Sequence, residues 1–120
     1  MIWLKLIRWN NLFIILLTQL LLWICVLLPL RQWTNVSFVL DVISFSLVCA
    51  STILIAAAGY IINDYFDIKI DAINRPEKVI LEHKINRRAG LIYHFVLSFL
   101  GILLAGIVAY KAGKLQWLWV

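Results

Sequence analysis

Three long apolar segments alternate with polar ones along this chain of 120 residues. Residues 12–30, 42–62 and 90–110 carry no charged side chain, and each has about the 20 residues that an α-helix needs to cross a bilayer. The pattern predicts an all-α membrane protein, a helical bundle with three transmembrane helices in this chain. We expect the first helix to end at Pro29, the second to begin near Asp41, and a loop to begin at Ala72.

Composition and charge support a membrane protein and locate its polar end. Hydrophobic residues make up 64% of the chain and charged residues 14%, against about 45–50% and 25% in soluble proteins. Eight of the eleven basic residues lie before the first helix or in residues 63–89. The positive-inside rule therefore places these two segments in the cytoplasm, with the inner membrane of a bacterium as the expected location. The net charge of +5 is explained by topology, so we expect the lipid bilayer and not a nucleic acid as partner.

Small residues mark the faces on which the helices are expected to pack. The second helix is rich in serine, alanine and glycine, and the third contains Gly101, Ala105 and Gly106. Membrane helices approach each other closely through such faces. His94 lies within the third helix, and we interpret it as a packing histidine that makes a hydrogen bond.

A run of oxygen-bearing side chains follows the second apolar segment directly. If the helix continues at about 100° per residue, four of them lie within a quarter turn of one face; they are Asn63, Asp64, Asp67 and Asp71. Grouped carboxylates repel each other unless a cation lies between them, and oxygen ligands suit Mg²⁺ or Ca²⁺. With Arg75 and Lys78 downstream, the run predicts a site for a cation and a phosphorylated ligand with an apolar tail.

The motif resembles the first Asp-rich motif of the UbiA superfamily of intramembrane prenyltransferases. The resemblance rests on Asn-Asp-x-x-Asp-x-x-x-Asp over residues 63–71, on Asn-Arg-Pro-x-Lys over residues 74–78, and on Arg-Trp-Asn-Asn at residues 8–11, similar to the family's entry to its first helix. It implies a bundle of nine transmembrane helices in which two Asp-rich motifs bind Mg²⁺ and an isoprenyl diphosphate. Residues 1–120 are then the N-terminal part of such a domain.

The resemblance also implies roles for individual residues. Asn63, Asp67 and Asp71 would bind the cation with help from Asp64, and no catalytic residue is separable from this metal site. Arg75 and Lys78 would contact the diphosphate. Arg8 and Asn11 would face the pocket from the first helix. The acceptor would be an aromatic ring, as in quinone synthesis, or a glycerol-phosphate lipid precursor.

No acidic residue follows Glu82, so a second Asp-rich motif is absent from these residues. We expect a fragment of a longer enzyme that is an incomplete catalyst by itself. The alternative is a non-catalytic truncated membrane protein that uses the acidic cluster for cation binding or assembly. A membrane enzyme of phospholipid synthesis would need an Asp-Gly-x-x-Ala-Arg core, whereas residues 71–75 read Asp-Ala-Ile-Asn-Arg.

Overall fold

The described part of the structure, a computed structural model, comprises residues 2–34, 41–74 and 85–112 and is built from α-helices. They are α1 (Ile2–Leu6), α2 (Trp9–Leu22), α3 (Leu28–Thr34), α4 (Val42–Asn74) and α5 (Arg87–Lys111), with a π-helical turn, Trp23–Leu27, between α2 and α3.

Three helical segments are long and apolar enough to cross a membrane, as predicted. They are Trp9–Leu30, Val42–Ile68 and Arg87–Lys111. Most large apolar side chains of α2 and α5 are exposed, and lipid or further helices would cover such surfaces in a membrane protein.

The prediction that the first helix ends at Pro29 was wrong. The chain stays helical through Pro29 to Thr34, because the π-helical turn ends at Leu27, with one residue between it and the proline. Proline lacks an N–H and its ring clashes with the carbonyl four residues earlier, here that of Cys25. The wider turn includes this carbonyl, and the Leu28 N–H bonds back five residues to the Trp23 carbonyl. A π-turn therefore lets the helix continue past the proline.

Helix α4 begins where the sequence predicts and ends slightly later. Asp41 precedes its first residue, and an Asp41 carboxylate oxygen accepts the Ser44 N–H at 2.9 Å, as expected of an N-terminal cap. The helix continues through Ala72 to Asn74, so the prediction of a loop from Ala72 was wrong by three residues. Its end lies just before Arg75, whose position before Pro76 disfavours α conformation. At about 1.5 Å per residue, α4 is about 50 Å long and extends beyond a hydrocarbon core of about 30 Å.

Helices α4 and α5 pack antiparallel against each other. The buried Ser51 hydroxyl donates to the Gly101 carbonyl at 2.7 Å, and a Cβ added to Gly101 would lie 2.6 Å from Ile55 Cγ1. The two backbones are close here because position 101 has no side chain. The prediction of a close-packing face is thus confirmed at Gly101, whereas a Cβ on Gly106 would meet nothing within 4 Å in the described chain.

His94 joins the same two helices within the segments that are long and apolar enough to cross a membrane. Its Nδ1 lies 3.0 Å from the Ala58 carbonyl oxygen, and since a carbonyl only accepts, Nδ1 carries the proton. The prediction of a hydrogen-bonded packing histidine is confirmed.

The short helix α1 is fixed to both long helices. Leu6 is completely buried in a cluster with Ile61 and Ile68 of α4 and with Ile85. Trp3 stacks on Tyr93 of α5 with ring centroids 4.4 Å apart. The acidic run, residues 63–71, lies at one end of the α4–α5 pair. These contacts hold α1 and the residues that follow it across that end.

Candidate functional site

The acidic run lies on the helix that the sequence predicted for it. Residues 63–71 all belong to α4. The Asn63 side-chain amide donates to an Asp67 carboxylate oxygen at 2.8 Å, which is possible because residues four apart share a helix face. The two side chains therefore lie together at the end of the membrane span, as the helical projection requires.

The position of the acids within α4 is unfavourable for the isolated helix. The C-terminal end of a helix carries partial negative charge and favours cations. Asp71 lies in the last turn of α4 and Asp67 one turn earlier. Their carboxylates cannot cap the backbone N–H groups of this helix, because those groups are unpaired only in the first turn. The run thus places negative charge where the helix itself gains nothing from it.

Arg8 partly compensates this charge. Its Nη2 donates to Asp64 Oδ1 at 2.6 Å, and its guanidinium carbon lies 5.4 Å from the centre of the Tyr60 ring. Tyr60 and Asp64 are one turn apart on α4, so Arg8 contacts two successive turns of the helix. The Arg8 side chain is 44% exposed and that of Asp64 21% exposed, so this ion pair is within reach of water.

The Arg8 backbone has an unusual conformation. Its φ of 52° and ψ of 56° are left-handed, which costs a non-glycine residue roughly 1–2 kcal/mol. This conformation turns the chain sharply from α1 into α2, and the Arg8 carbonyl accepts the N–H of Asn11 at 2.8 Å and of Leu12 at 3.3 Å. The strained residue is therefore held by the start of α2, by the anchored α1 and by its ion pair.

The remaining predicted site residues differ in what the structure says of them. Asn11 is exposed in the first turn of α2, and among the residues that the structure describes no side-chain contact joins it to the acids. Asp71 lies on α4, with its side chain outside the described part. Arg75 and Lys78 also lie outside the described residues.

The donor set fits a hard divalent cation. Asn63, Asp64 and Asp67 offer only oxygen ligands, and Mg²⁺ is commonly held by one or two carboxylates together with water and phosphate oxygens. Within residues 2–34, 41–74 and 85–112, no three histidine, cysteine, aspartate or glutamate side chains are grouped as a metal site. The two described carboxylates of the run, those of Asp64 and Asp67, suit a cation that is also held by water and phosphate oxygens.

Sequence reasoning missed the contact between Arg8 and Asp64 and its pairing with Tyr60. Arg8 was predicted to face the pocket, but 56 residues separate it from Asp64, and no periodicity relates residues on different helices. The anchoring of α1 by Leu6 was missed for the same reason. Leu6 precedes the apolar segment and looks in the sequence like one more residue of the N-terminal flank.

Comparisons with known proteins identify the family of this chain. The model of the UbiA prenyltransferase family matches residues 36–120, which include the whole acidic run. The chain is 45% identical over 62 residues to the digeranylgeranylglyceryl phosphate synthase of Methanothrix thermoacetophila, a match covering 52% of this chain and 23% of that protein. It is 41% identical over 81 residues to the synthase of the same name from Methanothermobacter thermautotrophicus, covering 60% of this chain and 29% of that protein.

The chain thus spans about a quarter of the length of these relatives. No solved structure matches it significantly. The family match covers more than half of the chain and contains the motif from which the resemblance was first drawn. The chain therefore belongs to the UbiA prenyltransferase family.

Proposed function

We propose that this chain forms the first metal and diphosphate site of a membrane enzyme that transfers a prenyl group from an isoprenyl diphosphate to an acceptor. The proposal rests on the acidic face of α4, formed by Asn63, Asp64 and Asp67 at the end of a membrane span. Asn63 is hydrogen-bonded to Asp67, and Arg8 forms an ion pair with Asp64. Acidic side chains near the C-terminus of a helix are unfavourable unless a cation lies beside them. A bound cation would therefore account for the acids at this end of α4.

Each predicted site residue would have a distinct role in binding. Oxygen atoms of Asn63, Asp67 and Asp71 would hold Mg²⁺ with help from Asp64, and Arg75 and Lys78 would contact the diphosphate. Bound Mg²⁺ would neutralise negative charge on the departing diphosphate. The apolar surfaces of α2, α4 and α5 would lie along the prenyl tail and exclude water from the reacting carbon.

The transfer itself breaks one bond and forms another. The bond between the prenyl C1 and the diphosphate oxygen breaks, and its electron pair leaves with the diphosphate. An oxygen or ring carbon of the acceptor then bonds to C1 and loses a proton. Positive groups near the leaving oxygens accelerate this step because they stabilise charge that develops in the transition state.

The relatives favour one of the two acceptor classes. An aromatic acceptor and a glycerol-phosphate lipid precursor were both expected from the resemblance. Several relatives are synthases of digeranylgeranylglyceryl phosphate, a glyceryl phosphate that carries geranylgeranyl groups. We therefore propose a prenylated glyceryl phosphate as acceptor and a geranylgeranyl diphosphate as donor, with the bond formed at a glycerol oxygen.

The charge distribution supports a cytoplasmic location for the acidic run. Eight basic residues lie on its side of the three spans and three on the other. A cysteine introduced at Lys84, in a variant without Cys25 and Cys49, should react with an impermeant thiol reagent only after cells are opened. Reaction in intact cells would reverse the orientation.

A transfer assay with the complete protein tests the proposed reaction. Membranes containing the protein receive labelled geranylgeranyl diphosphate with either geranylgeranylglyceryl phosphate or 4-hydroxybenzoate as acceptor. We expect Mg²⁺-dependent label only in the glyceryl lipid. Label in the aromatic product would change the acceptor class, and no transfer to either with well-inserted protein would contradict the proposal. Because we propose that the chain supplies one of two Asp-rich motifs, residues 1–120 alone should give no turnover.

A further inference from the structure

We infer that Arg8 is a built-in counter-ion of Asp64, and that a divalent cation at the metal site competes with Arg8 for this carboxylate. This inference rests on the proposed cation site and adds a competitor for it. Three features of the described residues support it: the anchoring of α1, the backbone conformation of Arg8, and the exposure of the ion pair.

The first feature is that Arg8 is held in place. Leu6 is fully buried against Ile61 and Ile68, and Trp3 stacks on Tyr93. Arg8 therefore follows a segment packed on both α4 and α5, unlike an arginine on a free N-terminal tail. Its guanidinium is directed to the acidic face by packing that a cation at that face would not itself disturb.

The second feature is the left-handed backbone of Arg8, at φ 52°. Arginine has no intrinsic preference for this region, whereas glycine adopts it readily and asparagine is enriched there. An arginine kept in a strained conformation needs compensation from its surroundings. The contacts with Asp64 and Tyr60 supply interactions that glycine or asparagine could not make.

The third feature is that the pair is accessible to exchange. Arg8 donates at 2.6 Å to Asp64 Oδ1, an oxygen that a hard cation at this face would also contact. A divalent ion and a guanidinium repel each other, and the pair is exposed enough for water to replace one partner. Arg8 and the cation therefore compete for Asp64, and each weakens the binding of the other.

Two variants separate the charge of Arg8 from its backbone. Arg8→Gly and Arg8→Asn both remove the guanidinium, and both residues tolerate the left-handed conformation. The matched control is Lys5→Gln, which removes one positive charge from α1. Lys5 makes no ion pair within the described residues, so it reports the general effect of lowering the positive charge near the site.

The measurement is Mn²⁺ binding by the chain in lipid nanodiscs, followed by loss of the free-ion electron paramagnetic resonance signal. We expect both Arg8 variants to bind Mn²⁺ about two- to fivefold more tightly than the wild type, the range for releasing an exposed ion pair. Lys5→Gln should change the affinity less. Unchanged or weaker Mn²⁺ binding in both Arg8 variants, with wild-type helicity, would overturn the inference.

A fourth variant distinguishes failure of this inference from failure of the proposed function. Asp67→Asn should weaken Mn²⁺ binding if the acidic face holds the cation. If Asp67→Asn weakens binding while the Arg8 variants do not strengthen it, the inference is wrong and the metal site stands. If Asp67→Asn has no effect, or if the wild-type chain binds no Mn²⁺, the metal site and the inference both fail.

Discussion

At both ends of α4 an aspartate pairs with a basic residue outside α4, yet the two aspartates have different roles. At one end, Asp41 caps α4 through the Ser44 N–H, and Lys111 of α5 lies 3.9 Å from its carboxylate. At the other, Asp64 pairs with Arg8 at 2.6 Å within a run of acids near the helix C-terminus. The first acid accepts a backbone N–H and stabilises the fold, whereas the others lie towards the C-terminus of α4, where the backbone N–H groups of the helix are already paired.

The helix dipole explains why the two aspartates differ in their effect on the stability of α4. Negative charge is favourable near a helix N-terminus and unfavourable near a C-terminus. Hydrogen bonds from the Ser44 side chain and backbone lower the pKa of Asp41, with a smaller contribution from Lys111. Acids near the C-terminus of α4, by contrast, do not stabilise this helix, and the proposed cation would give them a role in binding. The comparison therefore assigns a structural role to Asp41 and supports the proposal that the acidic run binds a cation.

The largest expected effect comes from breaking the packing that holds the two ends in place. Gly101→Leu would push a side chain into Ile55 and the Ser51 backbone, where even a Cβ has no room. We expect a loss of about 3 kcal/mol in unfolding free energy, measured by titrating the chain from mild detergent into sodium dodecyl sulfate. Gly106→Leu is the control, because a Cβ there meets nothing within 4 Å. Equal losses in the two variants would contradict the close packing at Gly101.

Removing a negative charge should have opposite effects on stability at the two ends of α4. In metal-free buffer, Asp41→Ala should destabilise the chain because the N-terminal cap is lost. Asp71→Asn should stabilise it by about 0.3–1 kcal/mol, because a negative charge leaves the last turn of α4. The same detergent titration measures both. Effects of the same sign would mean that the two ends do not differ as we describe.

A smaller effect concerns acid pH. Because the pKa of Asp41 is lowered in the folded chain, its carboxylate stabilises the fold above its ordinary pKa, and this contribution is lost as pH falls through the lowered value. The difference in thermal midpoint between wild type and Asp41→Ala should therefore shrink below about pH 4. A difference that stays constant down to pH 2.5 would show that ionisation of Asp41 contributes nothing.

The sequence predicted much of this arrangement because most of it is local. Three uncharged segments give three spans, and a helical projection through residues 63–71 places Asn63 and Asp67 together. Capping by Asp41 follows from its place before an apolar run. In each case the relevant residues are neighbours along the chain, where helical period and propensity decide the outcome.

The parts that could not be predicted depend on contacts between distant residues or on compensation inside a helix. A proline usually ends a helix, and only the π-turn Trp23–Leu27 lets this one continue. The contact of Arg8 with Asp64 requires α1 to pack on α4 through Leu6. The sequence predicted that Asn63 and Asp67 share a face of α4, but not that Arg8 lies against Asp64.

We propose that the acidic face of α4 holds the cation that assists departure of diphosphate. The most direct test of this proposal is prenyl transfer by the complete protein as a function of Mg²⁺ concentration, in membranes with matched protein levels. Asp67→Asn and Asp71→Asn should each lower turnover by roughly 100-fold and shift the Mg²⁺ response to higher concentrations. Lys69→Gln, about 240° around α4 from Asn63, should leave the Mg²⁺ response unchanged. Wild-type activity and Mg²⁺ response in both aspartate variants would contradict the account.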